Sequence, residues 1–205
     1  MDNDDLRRGK PSTHKKFGES TAVLAGNSLL TLAFEILANK NLKVSDNKKI
    51  LLIKYISSCS GHEGVAGGQY SDLNFENKKV SLRKIKDMQF KKTGRLFSFC
   101  CVAPLITINK NNLINKFNKI GENIGLLFQI ADDLIDYSGN SKIAGKKTRK
   151  DQTKGKATLI SLLGYENTIK YSKKLKLNIF NELVNYQKRS NNLRETIEFI
   201  LNRTN

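Results

Sequence analysis

The sequence predicts an all-α fold, and three observations carry that prediction. Only two prolines, Pro11 and Pro104, interrupt 205 residues, so long stretches are free of the ring that blocks a helical hydrogen bond and clashes with the preceding turn. Within those stretches apolar residues recur at helical rather than alternating spacing, the mark of helices with a buried face. The length suits one domain with a sizeable core and falls short of two ordinary ones, so residues 1–205 read as a single helical unit.

Residues 1–16 mix acidic and basic side chains and close on Gly9-Lys10-Pro11, which reads as a helix end and turn. From Phe17 to about Asn39, residues such as Ala22, Leu24, Leu29, Leu30, Phe34, Ile36 and Leu37 surround a helix on all sides. A helix apolar all round is a buried one, so this segment is expected in the core. Asn39 to Asn47 is a polar connection. A helix from about Lys48 is predicted to run through the small-residue segment Gly61 to Gln69, with a loop as the competing reading. Each glycine weakens a helix by about 1 kcal/mol relative to alanine, so close packing or backbone approach is the reason to expect so many.

The next helix is predicted from Ser81 to about Ala103, stopped by Pro104, with Lys91-Lys92-Thr93-Gly94 in its middle. Another runs from about Asn112 to Tyr137. Residues 138–156 are rich in glycine and lysine and are expected as a mobile loop. Two or three final helices cover roughly 157–202.

Thirty-six basic against 19 acidic residues leave a net charge of +17. The lysines are spread along the whole chain beside many asparagines, and no recognised nucleic-acid motif accompanies them. The charge is therefore read as attraction for small anions such as diphosphates, not for nucleic acid. No run of 18 or more apolar residues is present, so no transmembrane segment is expected. The start, Met1 to Arg8, is acidic then basic and lacks the apolar stretch of a signal peptide, which places the protein in the cytoplasm. Cys59, Cys100 and Cys101 are odd in number and lack metal-ligand spacing, and adjacent cysteines seldom pair with each other. They read as reduced packing residues.

The chemistry concentrates in Phe128-Gln129-Ile130-Ala131-Asp132-Asp133-Leu134-Ile135-Asp136. Side chains three and four residues apart on a helix share a face, so Gln129, Asp132, Asp133 and Asp136 form one stripe while Phe128, Leu134 and Ile135 point elsewhere. Three neighbouring carboxylates repel one another, and a cation is expected among them. All-oxygen ligation with room for retained water suits Mg²⁺ better than zinc, with Mn²⁺ as its substitute. A solvated acidic face is the competing reading. The basic and glycine-bearing segments elsewhere, which look built for phosphate, favour the cation.

Together these segments resemble the trans-type polyprenyl diphosphate synthases, and most closely the bacterial farnesyl and geranylgeranyl diphosphate synthases. The matching strings are Asp-Asp-Leu-Arg-Arg-Gly-Lys-Pro at 4–11, Phe-Gly-Glu at 17–19, Leu-Ala-Gly at 24–26, Gly-Gly-Gln-Tyr-Ser-Asp-Leu at 67–73, Lys-Thr-Gly at 92–94, the aspartate stripe, and Gly-Lys at 145–146. The resemblance implies a helical bundle around a central apolar cavity, with two aspartate-rich motifs facing each other across its mouth. It implies Mg²⁺ bridging those motifs to an allylic diphosphate, and condensation of that substrate with isopentenyl diphosphate to a product such as farnesyl diphosphate.

By the same resemblance, Asp132 is a direct metal ligand, with Asp133 and Asp136 acting directly or through metal-bound water, and Asp2 matches the closing aspartate of the first motif. Lys92, Thr93 and Lys146 meet the allylic diphosphate and Gln129 orients it, which makes these four the catalytic candidates. Phe128 lines the isopentenyl pocket. Arg7 matches the arginine for the allylic diphosphate and Arg8 the one that grips isopentenyl diphosphate through a fork of donors. Lys156 is a further diphosphate contact. A homodimer is implied for the full-length form.

Four departures stand out. The first motif's opening aspartate pair is absent, as are the N-terminal helices that carry the family's glycine-lysine-arginine segment, about the first third of such an enzyme. Asn27 stands where an aspartate is usual, and Arg149 where many relatives have glycine. A truncated chain, a split enzyme completed by another chain, and a non-catalytic subunit of a heteromeric synthase are the explanations, and truncation is the one expected because the remaining motifs retain their charges. The isolated chain is then expected to turn over poorly. A class I terpene cyclase would share the aspartate stripe, but has no need of Arg7, Arg8 and Lys92 as a second diphosphate site.

Overall fold

The computed structural model describes residues 4–138 and 155–202. The expected loop at 138–156 therefore lies almost wholly outside the described residues, as do Asp2, Lys146 and Arg149. The rest is helical apart from one small hairpin, as predicted.

The hairpin corrects the reading of residues 1–16. Strands β1 (Leu6–Arg7) and β2 (Lys10–Pro11) pair antiparallel in the register Leu6 to Pro11 and Arg7 to Lys10. Arg8 and Gly9 turn the chain with φ of 52° and 73°, the pair of positive angles that a two-residue type I′ hairpin turn requires. The turn was legible from Gly9-Lys10-Pro11; the helix before it was not there. Ser12 then starts α1 (Thr13–Phe17), and Gly18, with φ of 88°, redirects the chain into α2 (Glu19–Ala38).

The second correction concerns α2. None of its residues is buried, and Val23, Leu24, Leu29 and Ile36 are more than half exposed. Its neighbours are α1 and α3 (Asp46–Ser60), which leave most of its apolar circumference uncovered. With 20 residues and a hydropathy of 1.6, it also meets the length and composition of a membrane span, as a core helix of a soluble bundle does. An all-round apolar pattern states that a surface needs a cover, but not that the cover lies in the same segment of chain.

Third, α3 does not run on through the glycines. It ends at Ser60, Gly61 to Gly64 form a break, and α4 (Val65–Asn74) begins afresh. Fourth, Pro104 does not stop its helix. After α5 (Leu82–Gln89) comes a π-helical segment, Phe90–Gly94, and then α6 (Arg95–Thr107), which contains Pro104. The carbonyl that Pro104 cannot bond belongs to the exposed Cys100, where water can take the place of the missing N–H.

A 3₁₀ turn, Asn111–Leu113, leads into α7 (Ile114–Ser138), close to the predicted span and the axis of the structure. Among the described residues three helices follow, α8 (Leu159–Leu163), α9 (Tyr165–Leu183) and α10 (Asn191–Asn202). Thr158 and Ser161 cap α8 reciprocally, satisfying N-terminal donors that the helix itself cannot. One face of α7, with Ile120, Ile124, Leu127, Ile130 and Ala131, joins Ile85, Leu159, Leu175, Ile179, Leu183 and Ile197 in the main core. A smaller cluster of Leu52, Val102 and Ile106 ties α3 to α6.

Candidate active site

The site forms where α4, the π segment and the C-terminal half of α7 meet. Two glycine contacts set its dimensions. A Cβ on Gly68 would stand 2.1 Å from the Lys92 nitrogen, and one on Gly125 would stand 2.5 Å from Gly94 Cα. Only hydrogen at those positions lets α4 and α7 approach the π segment backbone to backbone. Close approach was the reason the sequence offered for the glycines at 67 and 68, and at Gly68 the structure bears it out.

A π turn carries one more residue than an α turn, and here it splits neighbouring side chains between two helices. Lys92 reaches α4, donating from Nζ to Asp72 Oδ2 at 2.6 Å. Thr93 reaches α7, donating from Oγ1 to Gln129 Oε1 at 3.2 Å. Asp72 is 6 % exposed and is also approached by Lys156, whose Nζ lies 4.0 Å from the same oxygen. Two ammonium groups thus meet on one buried carboxylate.

On α7, Gln129 Nε2 donates to Asp133 Oδ1 at 2.9 Å. The other oxygen, Oδ2, accepts from Gln89 Nε2 at 3.3 Å. Asp133 and Asp136 are buried, and Asp132 and Gln129 are half-buried. Phe128 packs its ring on Phe97 at 5.4 Å between centroids. Among the described residues no three His, Cys, Asp or Glu side chains gather closely enough to hold a metal ion. The hard carboxylate oxygens suit Mg²⁺ in kind, but further oxygens must complete its shell.

Of the sequence-predicted residues, Lys92, Thr93, Gln129, Asp133 and Lys156 come together through these contacts, and Asp72, from the matching string at 67–73, is what joins the two lysines. Asp132 and Asp136 lie on the same α7 segment. Arg7 and Arg8 stand on the exposed hairpin and are not hydrogen-bonded members of the group. Asp2 and Lys146 lie outside the described residues. Gln89 was missed. Its signal was slight: an uncharged polar residue between Met88 and Phe90, one turn before Lys92.

A second polar cluster lies further down α7. The Tyr55 hydroxyl, Ser98 Oγ and Asn118 Oδ1 lie within hydrogen-bond distance of one another, Tyr55 at 2.5 Å from Asn118 and 2.7 Å from Ser98, so that the two hydroxyl protons are shared among the three oxygens; Asn118 Nδ2 donates to Glu122. Burial pushes the Glu122 carboxyl above its ordinary value, against the opposing pull of Asn118 and Arg95. A hollow of about 570 Å³ adjoins this cluster, walled by Leu51, Val102 and Ile106. A larger one, of about 770 Å³, flanks Asp133, Asp136, Tyr137 and Lys156. Lys92, Thr93 and Gln129 line neither hollow, so the hydrogen-bonded network, which unites three elements, is the better guide to the site.

Fold and network define a helical bundle that sets cationic side chains against a carboxylate-bearing helix. The chain belongs to the polyprenyl synthetase family, whose pattern matches residues 1–199. It is 38% identical over 204 residues to the farnesyl diphosphate synthase of Micrococcus luteus, covering 99% of this chain and 69% of the relative. To that of Bacillus subtilis it is 40% identical over 168 residues, covering 81% and 57%. The chain thus spans between 57% and 69% of the length of these two relatives. Among solved structures, a geranyltransferase of Helicobacter pylori complexed with magnesium and isoprenyl diphosphate superposes with a TM-score of 0.84 at 33% identity, over 98% of this chain and 66% of that one. An apo FPP/GFPP synthase of Zymomonas mobilis gives 0.85 at 37%, over 98% and 68%.

Proposed function

We propose that the chain supplies the catalytic helices of a prenyltransferase that joins an allylic diphosphate head to tail with isopentenyl diphosphate, giving a short-chain product such as farnesyl diphosphate. The observation that carries this reading is the juxtaposition of Lys92 and Lys156 on Asp72 with the aspartates of α7, bridged by Thr93 and Gln129. A diphosphate bears about three negative charges, which carboxylates hold only through intervening cations. Mg²⁺, for which Mn²⁺ can substitute, supplies positive charge that stabilises the departing pyrophosphate.

In this reading Asp132 would be a direct metal ligand, with Asp133 and Asp136 acting directly or through metal-bound water, and Asp2 would contribute as the closing aspartate of the first motif. Lys92, Thr93 and Lys146 grip the allylic diphosphate with Arg7 and Lys156, and Gln129 orients it. Arg8 holds isopentenyl diphosphate. The allylic C–O bond breaks with its electron pair on the pyrophosphate, the double bond of isopentenyl diphosphate attacks the resulting cation, and a proton passes to the released pyrophosphate. The Phe97–Phe128 ring pair contributes an apolar wall that keeps water from the cation.

We place the protein in the cytoplasm, in keeping with its three free cysteines, and as a homodimer, an association that would cover the apolar face of α2. Completion by a different chain, as in a heteromeric synthase, draws on the same exposed face.

Calorimetry tests the site. Mg²⁺ affinity should rise sharply when pyrophosphate is present, because carboxylates alone compete poorly with the ion's hydration. Asp132→Ala should remove this coupling more completely than Asp136→Ala. Equal Mg²⁺ affinity with and without pyrophosphate defeats the reading.

A further inference from the structure

Gln89 closes α5 immediately before the π segment and is 2 % exposed. Its Nε2 donates to Asp133, while its Oε1 is buried with no hydrogen-bond partner among the described residues. A carboxylate oxygen only accepts, so Asp133 dictates which end of the amide faces it; the reversed amide would set oxygen against oxygen. The carbonyl finds no donor among the described residues, although buried polar atoms nearly always find one. Methionine, of similar length, would fill this place without orphaning an atom. Packing alone does not account for a glutamine here.

The donated hydrogen bond does. It is the first of three that run from the buried end of α5 to the substrate-facing side of α7: Gln89 to Asp133, Gln129 to Asp133, and Thr93 to Gln129. With Asp133 held, the Nε2 of Gln129 is committed to it and the Oε1 of Gln129 must turn toward Thr93. Were Asp133 to swing away, nothing in this chain of contacts would set which end of the Gln129 amide faces the π segment.

We infer that Gln89 is a positioning residue: acting through Asp133, it fixes the rotamer and polarity of Gln129 so that an oxygen faces Thr93. Gln89 acts through its hydrogen bond to Asp133 and not as a diphosphate ligand. Its role deepens the diphosphate-site reading and rests on it.

Two variants and two measurements separate the possibilities. Gln89→Met keeps the length and removes both polar atoms; Gln89→His returns an N–H donor. The side-chain amide signal of Gln129, assigned with Gln129→Leu, is followed by ¹H–¹⁵N NMR on the ligand-free 205-residue chain. That signal should move and broaden in Gln89→Met and return toward its original position in Gln89→His. In parallel, affinity for inorganic pyrophosphate in the presence of Mg²⁺ should fall about 10-fold in Gln89→Met, the effect of one charge-assisted hydrogen bond, and recover in Gln89→His. An unmoved Gln129 signal in folded Gln89→Met overturns the inference. Should that variant not fold, Gln89→Asn, one methylene short of Asp133, is read by the same signal and the same criterion. Failure of the unmodified chain to bind pyrophosphate with Mg²⁺ would instead sink the diphosphate reading, and the NMR comparison would still decide what Gln89 does.

Discussion

Replacing Gly68 by alanine tests the contact on which the site is built. The new Cβ would lie 2.1 Å from Lys92 N, 2.5 Å from Lys92 Cα and 2.7 Å from Lys91 C, where ordinary contact begins at 3.4 Å. The difference, 3.4 − 2.1, means that α4 or the π segment must give way by about 1.3 Å. All three atoms are backbone, so no rotamer change relieves the clash. Overpacking costs typically about 1–3 kcal/mol, and a clash against backbone belongs at the upper end. Alanine returns about 1 kcal/mol of helix propensity, leaving a net loss of about 2 kcal/mol. For a chain of this size that lowers the melting temperature by about 4–8 °C. The displacement also parts Lys92 from Asp72, so pyrophosphate binding with Mg²⁺ should weaken. Gly26→Ala is the control: it lies in α2 with nothing within 4 Å of a Cβ, and should gain up to about 1 kcal/mol. Circular dichroism melts of both variants decide the matter. A Gly68→Ala chain that melts as high as Gly26→Ala would refute the close approach of α4 to Lys92.

Further outcomes follow from other parts of the structure. Cys100 is exposed, whereas burial raises the Cys59 thiol and pushes that of Cys101 up to about 11. Thiol titration near pH 8 should show one fast-reacting group that Cys100→Ser removes; a fast phase surviving that change counts against the assignment. Burial raises Glu122 above 4.5 in the native state. Its stabilising contribution is therefore present below the unfolded value and lost as pH rises through the native one. Glu122→Gln should raise the melting temperature more at pH 7 than at pH 4, and an equal effect at both would contradict it. Asn118→Ala leaves the fully buried Ser98 hydroxyl and Tyr55 without their shared acceptor, a loss of about 1–3 kcal/mol in urea denaturation; a loss of only a few tenths would show that the cluster is dispensable.

The readings that succeeded depend on near neighbours in sequence. The helix at 114–138 and its aspartate stripe were legible because spacing of three and four is a property of the chain itself, unaltered by what packs on it. Lys92 and Thr93 drew notice for a similar reason, as part of a short contiguous string, and their role in a diphosphate site is a proposal. Sequence could not say that they diverge to different helices, because that follows from a π turn held between Gly68 and Gly125.

Sequence by itself determined an all-helical chain, most of its helices, and a group of carboxylates, lysines and glycines whose order marks the family. Those properties come from periodicity, local backbone preference and contiguous strings. Tertiary structure decided the rest: that residues 6–11 form a hairpin, that Pro104 is carried inside a helix, that α2 turns its apolar residues outward, and that Gln89 reaches Asp133. Each of these depends on whether a distant element supplies a cover or a hydrogen-bond partner. An apolar face or an amide advertises the need for a partner in its own sequence, but where that partner comes from is settled only when the helices pack.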